Sequence, residues 1–447
     1  NLLNVQAGLE LMHVSLTPGE KIRVPSMLLM FWSGNYRDSQ NQFRHLMLDH
    51  YTPGEAGITF QGPVAASVHG TYGFEATTAT NMINFINTTA SHSYPVQYIW
   101  IDAGWYDFNG GDTWVYVGTW EPDPVRYPNG MKPVADAAHN RGYKFLLWFE
   151  PERVTSGSWL DVNHPDWIFK NGGGWWLLNL GNPDALAWMK SKFSGMIGDI
   201  GIDCYRQDFN VFPLAKWRYG EASDRLGMNE IKHIMGLYEY LDYLLEQHPN
   251  LVIDNCASGG RRIDMEMMKR SVPLWRSDLC WVATPEQSME YGLSNWISLH
   301  GVGSVSLNKY DFRSGMGATF SSAFNHNDPS IWTTAIQLMN QYNEVRWMYK
   351  GDFYPLTPYS LSESNWMAWQ FHRADMNQGL VQAFRRSSST TTGMTFKLQG
   401  LIPTATYSLK NYDSTTTTAL GSTLMNTGLY IPISSQPGSV LIKYWKN

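Results

Sequence analysis

The chain has 447 residues and a formal net charge of −6, with 33 Lys and Arg against 39 Asp and Glu. That balance excludes a duplex nucleic-acid binder, which needs a basic stripe to neutralise phosphates. Hydrophobic content of 43% excludes disorder, and no apolar run of about 18 residues reads as a membrane-spanning helix, so neither nucleic acid nor membrane is an expected partner.

In chain order, Gly8–Leu16 alternates like a strand, Pro18-Gly19 is a turn, and Lys21–Met30 reads as a second strand. Two strands do not make a stable domain. They predict the end of an N-terminal β domain with its linker, over residues 1–60. No leader is visible at Asn1, and the Thr- and Asn-rich composition favours a secreted or periplasmic protein.

From residue 61 to about 350, short apolar runs ending in polar residues alternate with helical stretches. The runs are Val96–Asp102, Lys144–Glu150, a weaker Trp176–Leu180, Ile202–Asp208, Leu251–Cys256 and Val272–Asp278. Trp296–His300 and Met316–Phe320 are two further candidates. Helices are predicted near Pro133–Asn140, Pro183–Gly198, Asn229–Gln247 and Ile331–Tyr349. Buried strands alternating with helices predict an α/β fold with a parallel sheet, and this number of units fits a (β/α)8 barrel. Chemistry in such barrels sits at the C-terminal strand ends, here Asp102, Glu150, Asp208, Cys256 and Asp278. From residue 351 to 447, Ser and Thr dominate and Trp366–Phe371, Leu380–Phe384 and Val440–Tyr444 alternate, which predicts a C-terminal β-sandwich.

Aromatic residues make up 14% of the chain, a composition that suits stacking on sugar rings and equally suits an aromatic core. The three cysteines, Cys204, Cys256 and Cys280, are too few and odd in number for a disulfide framework. There is no CxxC, HExxH or Walker motif, and Gly172-Gly173-Gly174 reads as a loop, so no metal and no cofactor is expected.

Asp208 and Asp278 are the central pair. Each follows an arginine by two residues, Arg206 and Arg276, so each pair points to one side of its strand. Two carboxylates across a pocket suit glycoside cleavage, one attacking the anomeric carbon and the other protonating the leaving oxygen. Two ion pairs that only buttress strand ends would leave the same trace. In Asp254-Asn-Cys-Ala-Ser-Gly-Gly-Arg-Arg-Ile-Asp264, small residues after a strand admit either a ligand or a tight turn. In Trp148-Phe-Glu-Pro-Glu152 the tryptophan suits a wall against a sugar, and Glu150 and Glu152 suit structural acceptors.

These segments together resemble glycoside hydrolase family 36, the melibiase or α-galactosidase family. Trp148-Phe-Glu-Pro-Glu152 matches its WFEPE, and Tyr205-Arg-Gln-Asp-Phe-Asn210 resembles its K-x-D-x-N. The Cys256–Asp264 loop and Arg276-Ser-Asp278 match two further segments. The resemblance implies a β domain, a barrel and a C-terminal β domain, and a metal-free double displacement with retention. It implies Asp208 as nucleophile and Asp278 as acid/base. Asp102, Trp148 and Arg206 would contact the sugar, as would Arg276 beside the acid/base, and Cys256 and Gly259 would lie near its 2-substituent. The implied activity is that of an exo-α-glycosidase on terminal galactose-configured sugars of oligosaccharides or glycoconjugates. The chain departs from the family pattern at Ala103, where a second carboxylate is usual, at Arg206, where Lys is usual, and at Gly173, where a pocket Arg is usual. α-N-Acetylgalactosaminidase and β-L-arabinopyranosidase activities therefore stand as alternatives, as does a non-catalytic glycan-binding protein on a hydrolase scaffold. Oligomeric state is left open.

Overall fold

A computed structural model describes residues 4–54, 61–108, 114–173 and 175–447. Gly174 of the glycine run and the expected domain boundary at residue 60 lie outside the described residues. The chain folds as two compact units. One takes in residues up to Phe31, Tyr72–Ile83 and Ile101–Ile253; the other takes in Trp32–Thr71, Asn84–Trp100 and Asp254–Asn447.

Seven parallel strands form the main sheet: β1 (Val64–Ser67), β2 (Tyr98–Ile101), β3 (Lys144–Phe149), β4 (Cys204–Gln207), β5 (Val252–Asn255), β6 (Gly301–Ser304) and β7 (Thr319–Ser322). Their order is β5-β4-β3-β2-β1-β7-β6. Nearly every residue in them is buried, as parallel strands covered on both faces require. An eighth stave runs through Val272–Arg276. Asn255 N donates to Val272 O at 2.9 Å on one side, and Arg276 N donates to Gly301 O at 3.0 Å on the other. Pro273 removes one donor from this segment, so it pairs without forming a regular ladder. The buried Asp254 carboxylate compensates by accepting from Leu274 N at 2.9 Å.

Helix boundaries follow local chemistry. In Pro183–Ile200, Pro183 occupies the first turn and Asn182 accepts from Asp184 N and Ala185 N. Its buried face is Ala185, Met189, Phe193 and Ile197, spaced by one helical turn.

Several strands lie elsewhere than the sequence predicts. Trp175–Leu178 belongs to a three-stranded antiparallel sheet with Arg153–Thr155 and Ile168–Phe169, outside the parallel sheet. β1 reads Val-Ala-Ala-Ser, too short and too poor in branched residues to predict. β6 begins directly after the predicted Trp296–His300 run, and β7 begins within Met316–Phe320 and ends two residues past it. Gly303 in β6 has φ of 141°, and a Cβ there would come within 1.7 Å of Ser321 O on β7. This strand is therefore glycine-rich where propensity asks for branched residues. Near the N-terminus, among the described residues, only His13–Val14 is a strand, paired with Arg225–Leu226; residues 21–30 form none.

The C-terminal region is antiparallel: β8 (Asp352–Pro355), β9 (Met367–Arg373), β10 (Gln378–Arg385), β11 (Thr406–Asn411), β12 (Thr416–Leu420) and β13 (Gly438–Lys446), in the order β8-β9-β10-β13-β11-β12. Alternate side chains such as Ala368, Val381 and Ile442 pack with Phe396 and Ile431 of the separate Gly393–Phe396/Leu429–Pro432 pair. Helix Lys309–Ser314 is tied to this sheet region by Arg313, whose guanidinium forks onto both oxygens of Asp413 at 2.5 and 3.1 Å.

Candidate active site

Asp208 lies one residue past β4. Its carboxylate accepts from three groups: Phe209 N at 2.7 Å on Oδ1, and Asn210 Nδ2 at 2.9 Å and Trp148 Nε1 at 3.2 Å on Oδ2. Trp148 comes from β3, and Asn210 follows the carboxylate by two residues. Donors on both oxygens hold the side chain in one orientation while it stays half-buried.

Behind it stands Glu150, fully buried one residue past β3. Glu150 accepts from Asn210 N at 2.5 Å and Asn210 Nδ2 at 3.0 Å, and pairs with Arg153 at 2.7 Å. Burial pushes the Glu150 carboxyl up, and negative Asp208 pushes the same way, against the pull of Arg153. Asn210 therefore bridges two carboxylates. It stood inside the matched motif, yet nothing in its spacing marked it out as more than a loop residue. Glu152 faces inward, accepting from Gln207 Nε2 at 2.8 Å, with His233 Nε2 at 2.7 Å, and is a structural acceptor.

Asp102 follows β2 and pairs with Arg206, whose Nε is 3.1 Å from Asp102 Oδ2. The arginine that the sequence set beside Asp208 thus makes this ion pair with the end of β2, two strands away in the sheet. Ala103 beside it is buried. Trp148 is 1% exposed, packed against Tyr106 and Trp120, so its indole N–H is its main offering to the site. Trp105 is wholly buried with Nε1 donating to Trp148 O at 2.9 Å; it is a core residue and offers no face to a sugar.

In the other unit, Asp278 is exposed and its Oδ1 accepts from Trp275 Nε1 at 3.0 Å. Arg276 departs from the expectation that it meets a sugar. Its side chain is buried, with Nη2 2.9 Å from Glu286 Oε2 and Nη1 2.5 Å from Glu290 Oε2. Two carboxylates hold the guanidinium inside, and burial pushes both of those carboxyls up. Gly259 sits against the backbone of the Asp278 segment: with φ of 81°, a Cβ there would lie 3.0 Å from Ser277 Cα and 3.1 Å from Asp278 N. Glycine meets both the positive φ and this close approach without strain. Cys256 is buried, and Ala257 N donates to Gly259 O at 2.8 Å, which tightens the turn. Asp264 caps the short helix Met265–Met268 through Glu266 N and Met267 N.

A family model described as Melibiase matches residues 49–303, and one described as the glycosyl hydrolase family 36 C-terminal domain matches residues 366–443. The chain belongs to glycoside hydrolase family 36. Among curated relatives, an Escherichia coli "Alpha-galactosidase" is 32% identical over 185 residues, covering 40% of this chain and 25% of that protein. "Alpha-galactosidase C" of Emericella nidulans is 25% identical over 469 residues, covering 96% of this chain and 59% of that one. The chain thus spans less than two thirds of the relatives it matches. The α-galactosidase structure from Lactobacillus brevis superposes with a TM-score of 0.81 at 22% identity, over 93% of this chain and 59% of that one. The family 36 α-galactosidase AgaA of Geobacillus stearothermophilus, in complex with 1-deoxygalactonojirimycin, gives 0.81 at 21%, over 92% and 59%. These superpositions show the fold, a (β/α)8 barrel with an antiparallel C-terminal domain. Among the described residues no group of three or more His, Cys, Asp or Glu could hold a metal ion, and no helix is long and apolar enough to cross a membrane.

Proposed function

We propose that the chain is the catalytic part of a retaining exo-α-glycosidase acting on terminal galactose-configured sugars. The observation that carries this reading is Asp208: a half-buried carboxylate just past a strand end, with Phe209 N on one oxygen and Asn210 Nδ2 and Trp148 Nε1 on the other. A nucleophile needs that fixed aim toward the anomeric carbon. Asp208 attacks as Asp278 protonates the departing oxygen, and the glycosyl ester is then released by water that Asp278 deprotonates. Asp102 accepts hydrogen bonds from sugar hydroxyls, and Arg206 orients it through its Nε–H. Stachyose and raffinose occupy related AgaA structures, which supports an oligosaccharide as substrate.

A panel of nitrophenyl glycosides tests the activity, with NMR of the first-formed anomer testing retention. Asp208→Gly is expected to lose several orders of magnitude in kcat and to regain turnover with azide, releasing the β-glycosyl azide. A variant that keeps more than about a tenth of wild-type rate overturns the assignment, because a tenfold loss corresponds to only about 1.4 kcal/mol. Ala103 favours a second reading, a β-L-arabinopyranosidase: a sugar without the C6 hydroxyl needs one carboxylate fewer at this rim.

A further inference from the structure

Asp278 is followed by Leu279-Cys280-Trp281-Val282. Cys280 is buried, but Leu279 is 50%, Trp281 59% and Val282 48% exposed. The Trp281 ring stands edge-on to Trp275, centroids 6.0 Å apart and planes at 62°. Trp275 in turn donates its indole N–H to Asp278 and meets the buried Trp100 edge-on at 5.4 Å. Buried, half-buried and exposed indoles thus form a row, and the middle one holds the carboxyl. The segment is short, and both of its ends lead to one helix. Arg276 before it pairs with Glu286 and Glu290, and Val282 after it occupies the N-cap position of the helix Ala283–Leu293 that carries those two glutamates.

We propose that Trp281 is a leaving-group subsite, stacking on the apolar face of the pyranose ring that departs from Asp278. The inference rests on Asp278 being the acid. In that step the proton passes from the Asp278 carboxyl to the glycosidic oxygen. The bond from that oxygen to the anomeric carbon breaks with its electron pair going to oxygen, and the Asp208 carboxylate forms the new bond to carbon. The oxygen that receives the proton stays with the leaving group, so the leaving ring must lie against the loop that bears Asp278. The large exposed apolar face on that loop is Trp281. An indole offers a flat, polarisable surface to the C–H face of a sugar, and it is already placed, so little ordering is needed on binding.

The test uses three α-galactosides with wild type, Trp281→Ala and Trp281→Phe. Galactosyl fluoride has a single-atom leaving group, nitrophenyl galactoside an aryl one, and raffinose a sugar. Trp281→Ala is expected to lose about tenfold in kcat/KM on raffinose, with a loss on the fluoride at least fivefold smaller, while Trp281→Phe retains most of the raffinose activity. Equal losses on all three substrates, or no loss on raffinose, overturn the subsite. A loss on the nitrophenyl compound alone overturns a sugar ring as the occupant. A wild type inert on the fluoride instead overturns the reading of Asp208 and Asp278 as the catalytic pair. Trp281 is exposed, so its variants should keep the wild-type melting temperature, which separates a local effect from misfolding.

Discussion

Glu150 and Asp208 share one side-chain amide: Asn210 Nδ2 lies 3.0 Å from Glu150 Oε2 and 2.9 Å from Asp208 Oδ2. Both amide protons are engaged, so the rotamer of Asn210 is dictated by two carboxylates at once. Glu150 is itself anchored by Arg153. Asn210→Ala should let the Asp208 carboxylate drift and lower kcat by about 10- to 100-fold, as small misplacements of reacting groups do. Asn210→Asp should be worse, since it adds a third negative charge and removes both donors. If Asn210→Ala stays within twofold of wild type, the bridge does not position Asp208.

With Asp278 as the proposed acid, activity should depend on the leaving group. Asp278→Ala should cost galactosides with poor leaving groups far more than activated aryl galactosides. Equal losses on both would mark Asp278 as structural. Retention also requires the Asp208 and Asp278 carboxyl groups to stand about 5–5.5 Å apart. A crystal structure of a substrate complex with a separation near 9 Å and a water between them would indicate inversion.

Ala103 should make plain α-galactosidase activity modest. A charge-assisted hydrogen bond to a hydroxyl is worth about 1.5–3 kcal/mol, so its absence weakens the hold on one outer hydroxyl by roughly tenfold to more than a hundredfold. Arg206 donates beside this position but cannot accept a hydrogen bond from a hydroxyl. Ala103→Asp is expected to raise kcat/KM on nitrophenyl α-galactoside relative to the arabinopyranoside. If wild type already cleaves the galactoside with ordinary family efficiency and the variant gives no gain, Ala103 does not set specificity.

The Arg313–Asp413 pair should make stability fall in acid. Burial alone would raise the Asp413 carboxyl, but Arg313 and Lys309 outweigh it and hold it below the usual carboxylate range. A depressed carboxyl contributes fully above the unfolded value of about 3.9, and the contribution is lost as pH falls through the folded value. Asp413→Asn leaves the buried Arg313 without its fork partner and should cost about 3 kcal/mol at neutral pH. The gap in melting temperature between wild type and variant should close below about pH 4. A gap of the same size at pH 3 and pH 7 would show that the charge of Asp413 is not its source.

Much of the barrel was legible because buried parallel strands are written as apolar runs. Val96–Asp102, Lys144–Glu150, Ile202–Asp208 and Leu251–Cys256 each contain a strand and end at or beside its rim. β1 and β6 were not, because Val-Ala-Ala-Ser and Gly-Val-Gly-Ser carry no local preference for a strand, and what extends them is the neighbouring backbone. Trp176–Leu180 had the right composition for a barrel strand but joins an antiparallel excursion after β3. In the site, the acids stood out as polar ends of apolar runs. Their partners did not: that Arg206 reaches Asp102, that Arg276 turns inward to Glu286 and Glu290, and that Trp105 is core are outcomes of tertiary placement, which a two-residue spacing cannot express.

The stave through Val272–Arg276 is joined to its neighbours by scattered bonds instead of a continuous ladder, and Pro273 ensures that it stays so. A segment with fewer main-chain bonds opens at lower free energy than one locked in register. Asp278 extends from this looser stave, while Asp208 extends from β4, which is in full register with β3 from Cys204 to Gln207. The barrel thus gives its two acids unequal mechanical footing: a stiff seat for the group proposed to form a bond to carbon, and a more compliant one for the group that must move a proton out and back in each turnover. Amide hydrogens of Leu274 and Arg276 should accordingly exchange faster than those of Tyr205 and Arg206, and equal protection would show that the seam is as rigid as the rest of the wall.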